Sequence, residues 1–165
     1  MTTIFLPMLI HFGMTITILI MLVLRRAGEL RAEPNLLEKI DLDSSHYSDE
    51  AKKLSNNFQN QFQLPVFFHV GGILALLFSV TGWAAGALAW GFVISRIAHT
   101  VVHTTFNNVR VRFAFFVIGI LCLIGLWVTI AMGAEESIWF RAAGWTIVET
   151  PTPAPDSPPS PEIMP

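Results

Sequence analysis

The stretch GALAWGFVISRIAHTVVHTTFNNVR, residues 86–110, is apolar enough to cross a bilayer yet carries Arg96, His99 and His103. A guanidinium in hydrocarbon costs roughly 2.5–3.5 kcal/mol on insertion scales, so such a residue usually faces a cavity or a partner. Positions i, i+3 and i+7 share one stripe of a helix, and Asn107 and Arg110 continue that stripe if the helix persists. One arginine snorkelling to the interface would not need four polar companions on its face. The seam predicts a binding site inside a helical bundle.

Composition sets the class. The chain has 165 residues, 53% apolar and 13% charged, with a mean hydropathy of +0.57. A soluble domain carries about 25% charged residues, so the deficit predicts an integral membrane protein. A net charge of −2 gives no reason to expect nucleic acid as a partner. The single cysteine, Cys122, lies in an apolar run and has no intrachain partner for a disulfide.

Four segments approach the length of about 20 residues that a bilayer core demands. They run from Ile4 to Leu24, from about Leu64 to Val80, from Ala84 or Ala85 to about Val102, and from Phe113 to Met132. The first lacks a basic leader and a small-residue cleavage site, which marks it as a retained span. Arg25, Arg26, Arg31, Lys39, Lys52 and Lys53 lie between spans one and two, and Arg110 and Arg112 between spans three and four. The positive-inside rule puts both basic connections in the cytoplasm and both termini on the other side. The expected fold is an all-α integral membrane bundle of four transmembrane helices over residues 1–133.

Glu33-Pro34-Asn35 breaks the extension of the first helix. Asp43 and Ser44 are candidate N-caps for the next helix. From about Asp49, DEAKKLSNNFQNQFQLPVFF reads as one helix entering the membrane, bent at Pro65. Residues 134–148 read as a short interfacial helix, with Trp139 and Trp145 at headgroup depth. The tail 149–165 holds seven of the ten prolines and reads as extended and disordered. Gly71, Gly72, Gly82, Gly86 and Gly91, with neighbouring alanines, allow close helix approach in a compact bundle or oligomer.

A second polar seam precedes the second span. On an unbroken helix Lys52, Asn56, Gln59 and Gln63 share a narrow arc, flanked by Asn57 and Asn60. Amides both donate and accept, so they can hold a peptide-like backbone or bridge to another helix. Arg binds both oxygens of a carboxylate at once. A small anionic, peptide-like ligand suits such a lining, and a cation does not.

Arg25-Arg26, the NNFQNQFQLPVFF entry, and RIAHTVVH followed by Arg110 and Arg112 together resemble the MAPEG family, the membrane-associated proteins in eicosanoid and glutathione metabolism. The resemblance covers about Ile4 to Gly133, and the amide-rich entry is closest to bacterial members. It implies a homotrimer in the bacterial inner membrane, with glutathione as cosubstrate between subunits near the cytosolic face. It also implies an arginine that stabilises the glutathione thiolate, which then attacks an electrophilic lipid or xenobiotic or reduces a hydroperoxide. That role falls to Arg110 or Arg112. The other candidate ligand contacts are Arg25, Arg26, Lys52, Asn56, Gln59, Gln63, Arg96, His99 and His103. Asn56 takes the place of the family's helix-two asparagine, and Lys52 that of an arginine. Gln59 stands where glutathione-using members carry glutamate, and His103 where tyrosine is usual.

The expected function is therefore binding of a small anionic or amphipathic ligand at subunit interfaces, with glutathione transferase or peroxidase activity. The alternative is a non-catalytic membrane accessory protein that keeps the fold. Haem is a weaker reading: His11, His69, His99 and His103 lie in spans, but His99 and His103 on one helix cannot sandwich a haem. No metal site is expected, since no carboxylate joins the two histidines.

Overall fold

Many large apolar side chains of this chain point outward, while several polar ones are buried. Phe5, Phe12, Ile20, Leu121 and Met132 are exposed, whereas His11, Asn57, Arg96 and His99 are buried. A soluble protein sorts its residues the other way, and a lipid-facing surface accounts for the inversion. The computed structural model describes residues 2–40 and 46–142.

Helix α1 spans Thr2–Ala32 and α2 spans Leu36–Lys39. Helix α3 spans Asp49–Asn60, α4 Leu64–Leu77, α5 Trp83–Thr104 and α6 Val109–Ala142. Four stretches are long and apolar enough to cross a membrane: Ile4–Ala32, Asp49–Leu77, Trp83–Thr104 and Val109–Glu135. The first helix outruns its apolar core because Arg25 and Glu29 pair at i, i+4, with Nε to Oε1 at 3.0 Å. It stops at Ala32, just ahead of the Glu33-Pro34-Asn35 breaker.

The second span departs from expectation. It is two helices with a break at Gln61–Gln63, not one helix bent at Pro65. Pro65 falls in the first turn of α4, where its missing N–H leaves no intrahelical bond unmade. Ser48 caps α3, its Oγ accepting from Ala51 N at 3.2 Å. The expected caps Asp43 and Ser44 lie outside the described residues. So do 143–148 of the expected interfacial helix and the whole 149–165 tail. Within the described residues α6 runs on from the fourth span to Ala142 without interruption.

Phe68 of α4 stacks on Phe92 of α5 at 4.5 Å between centroids. Ile4, Ala75, Ala89, Val93, Leu123 and Leu126 complete the buried centre. Small residues bring the helices together, as packing in lipid requires. A Cβ added at Gly133 would lie 2.6 Å from Val80 Cγ2, and one at Gly72 would lie 2.5 Å from Met8 Sδ. The two clashes differ in kind. Val80 is β-branched and stiff, whereas Met8 is a flexible thioether that can swing aside.

At the polar end of the bundle, α1 is tied to α3. Arg25 pairs with Glu29 and Glu50. Arg26 donates from Nη2 to Ser55 Oγ at 3.2 Å and lies 4.7 Å over the Tyr47 ring. Glu29 accepts from the Ser48 backbone N–H at 3.1 Å and from the Ser48 hydroxyl.

Gly133→Ala is expected to lower stability by about 1–2 kcal/mol through overpacking against Val80, and Gly72→Ala by well under about 1 kcal/mol. Thermal unfolding of the two variants in detergent checks the ranking, and equal losses would refute it.

Candidate functional site

The polar stripe of α5 faces inward. Arg96, His99 and His103 are 1%, 4% and 4% exposed, with Ser95 and Thr100 buried beside them. The stripe ends sooner than an unbroken helix would allow. Thr104 and Thr105 hydroxyls bond back to the Thr100 and Val101 carbonyls at 2.9 and 2.6 Å. Asn107 then adopts a positive φ of 47°, with its N–H reaching Val102 O at 2.8 Å. Asparagine tolerates this left-handed conformation better than most residues.

Asn108 restarts the helix. Its Oδ1 accepts from Arg110 N at 3.0 Å and from Val111 N at 3.3 Å, which makes it the cap of α6. Arg110 therefore does not continue the α5 stripe. It sits in the first turn of α6 and is exposed. Arg112, two positions on, points to the other side, since successive residues turn by about 100°. The cap thus sets Arg110 and Arg112 on different sides of α6.

Arg112 lines a cavity of about 270 Å³ together with Asn60, Gln63, His99, Val109, Phe113 and Phe116. Its Nη1 donates to Asn107 Oδ1 at 2.9 Å. Its carbonyl oxygen lies 3.0 Å from His99 Nδ1. A carbonyl can only accept, so His99 carries its proton on Nδ1. No side-chain carboxylate is among the described lining residues, so the one formal charge among them is positive.

The second seam divides at the helix break. Asn56 and Gln59 are exposed on the outside of the chain, and Lys52 lies 3.6 Å from Asp49. Gln63 falls out of register with them because the turn at Gln61–Gln63 resets the rotational phase, and it reaches the cavity. The amides that turn inward are their neighbours. Gln61 Nε2 donates to Asn57 Oδ1 at 3.1 Å and to Thr100 Oγ1 at 3.4 Å. Thr100 Oγ1 in turn donates to Asn57 Oδ1 at 3.4 Å. These bonds join α5 to the α3–α4 break and do not reach the cavity.

Of the expected contacts, Gln63, His99 and Arg112 come together. Arg25 and Arg26 are committed to the α1–α3 corner, while Lys52, Asn56, Gln59 and Arg110 lie on outer surfaces. Arg96 lies behind the cavity wall, donating from Nη2 to Asn60 O at 3.3 Å. His103 is buried at 5.8 Å between centroids from His99.

Asn60, the last residue of α3, flanks the Lys52, Asn56 and Gln59 arc on the same helix and lines the cavity. His11 and His69 also meet, Nδ1 to Nε2 at 3.3 Å. Such a separation leaves no room for iron and a macrocycle between them. Among the described residues no group of three or more His, Cys, Asp or Glu side chains could hold a metal.

The MAPEG family profile matches residues 4–132. The chain belongs to the MAPEG family. The match starts within α1 and ends within α6, so it takes in the first three spans, most of the fourth and every described cavity residue of this MAPEG chain. No curated protein and no solved structure matches it.

Gln61→Leu removes the donor that ties Asn57 to Thr100 and leaves their polar atoms buried with fewer partners. It is expected to cost about 1–3 kcal/mol. Arg110→Ala, at an exposed position, is expected to stay within about 0.5 kcal/mol of the parent. Thermal unfolding in detergent measures both.

Proposed function

We propose that this MAPEG protein binds a small anionic, amphipathic ligand in the Arg112 cavity and uses glutathione as cosubstrate. The observation that carries the reading is the lining: one guanidinium, two amides and one imidazole, with no carboxylate among the described residues. Arg112 would hold a carboxylate or a thiolate. Asn60 and Gln63 would hold peptide groups, having both donors and acceptors.

An amphipathic ligand is supported by an open apolar groove farther along α4 and α6. It measures about 630 Å³ and is lined by Phe67, Leu123, Ile124, Trp127, Val128 and Ala131. Gln63 and Phe67 are one helical turn apart, and Phe116 and Leu123 are two. A charged head at Arg112 would thus have its tail directed along an apolar path.

In this reading the thiol of glutathione loses its proton to water beside Arg112, whose charge lowers the thiol pKa. The thiolate sulfur forms a bond to an electrophilic carbon, and the leaving group departs with its bonding pair. Assembly as a homotrimer in the bacterial inner membrane, with the cavity at the cytoplasmic end, completes the proposal. The outward-facing Lys52, Asn56 and Gln59 would then form a wall supplied by the adjacent subunit.

Purified protein in lipid nanodiscs, glutathione and 1-chloro-2,4-dinitrobenzene form the test. Arg112→Ala should lower the conjugation rate roughly ten- to hundredfold, the loss expected for a charge-assisted bond of about 1.5–3 kcal/mol, while Arg110→Ala should leave it near the parent rate. A parent rate no higher than that of Arg112→Ala removes the enzymatic reading.

A further inference from the structure

The α5 stripe acts on main chain. Arg96 Nη2 donates to the Asn60 carbonyl at 3.3 Å, and His99 Nδ1 donates to the Arg112 carbonyl at 3.0 Å. These carbonyls belong to opposite walls of the same cavity, one at the α3–α4 break and one in the first turn of α6. The grips therefore stand one turn apart on a single helix and hold two separate elements at once.

Each wall needs such a grip. In a continuous helix Asn60 O would accept from the amide four residues on, but the break at Gln61–Gln63 interrupts that ladder. The backbone amides of Gln61, Phe62 and Val66 turn to Phe58, Gln59 and Gln63 instead. A carbonyl freed inside the bundle needs another donor, and Arg96 supplies one. Arg96 is the largest fully buried side chain and has no carboxylate partner among the described residues. On the other wall, Arg112 comes after a turn of irregular backbone at Asn107 and Asn108, so its place relative to α5 depends on a bond across that turn.

We infer that Arg96 and His99 are positioning residues, which hold Asn60, Gln63 and Arg112 in one cavity by gripping the backbone beneath them. This rests on the reading that the cavity binds glutathione, yet it can be tested apart from it.

The ligand-free arm is hydrogen exchange on the full chain in nanodiscs. Arg96→Met should speed amide exchange between Asn60 and Val66 while leaving the start of α6 as it was. His99→Leu should do so between Val109 and Phe116, and His99→Asn, which keeps a donor near the Nδ1 position, should restore the parent pattern. Uniform acceleration, or none in these segments, overturns the inference whether or not glutathione binds.

The second arm is a double-mutant cycle read by calorimetric glutathione titration. His99→Leu should weaken binding about tenfold in the parent and not at all in Arg112→Ala. Equal losses in both backgrounds would mean that His99 touches the ligand, and the positioning role would be rejected. If the parent protein binds no glutathione, the functional reading falls and the exchange arm alone decides.

Discussion

A guanidinium enclosed by membrane helices must find its hydrogen-bond acceptors within the protein, because lipid offers none. A broken helix packed against it has the opposite problem, since it frees carbonyls that need a donor. In this chain the two needs meet. Arg96 supplies a donor to Asn60 O at the Gln61–Gln63 break, and the break carries Gln63 into the cavity rather than around to the outer arc. If α3 and α4 were one helix, Gln63 would share a face with Asn56 and Gln59, and the cavity would lose one of its amides.

The polar residues of the bundle consequently fall into groups with separate tasks. Asn57, Gln61 and Thr100 form a closed set of bonds that fastens the break to α5. Arg25, Arg26, Glu29, Ser48 and Glu50 fasten α1 to the start of α3. Arg112, Gln63 and Asn60 are left to face the cavity. An interior this polar remains compact because glycines under Met8, Trp127 and Val80 let the helices approach where apolar contact is made. Tertiary bonds and close packing thus share the work that the hydrophobic effect does in water.

Much of this could be read from the residues. Low charge and four apolar runs named the class, and the motif around Arg96, His99 and His103 pointed to the MAPEG family, to which the chain belongs. The inward direction of that stripe was also legible, since a helix face rich in polar groups cannot face lipid. What misled was the assumption of unbroken helices. It joined Gln63 to Lys52, Asn56 and Gln59, while beyond the α5 stripe the residues leave Arg110 and Arg112 both open. Thr104, Thr105 and Asn107 mark the end of α5, and Pro65 marks the break ahead of α4, but neither signal states how far the next helix is rotated.

The sequence by itself determined the four spans, their alternation and the burial of a polar face, because each stems from local composition and from the cost of polar groups in hydrocarbon. Only the tertiary structure decided that Arg112 rather than Arg110, and Gln63 rather than Asn56 and Gln59, line one cavity. The reason is rotational: each residue of helix turns the side chain by about 100°, so a turn of two or three residues reassigns every side chain beyond it. Bonds between distant helices set that turn.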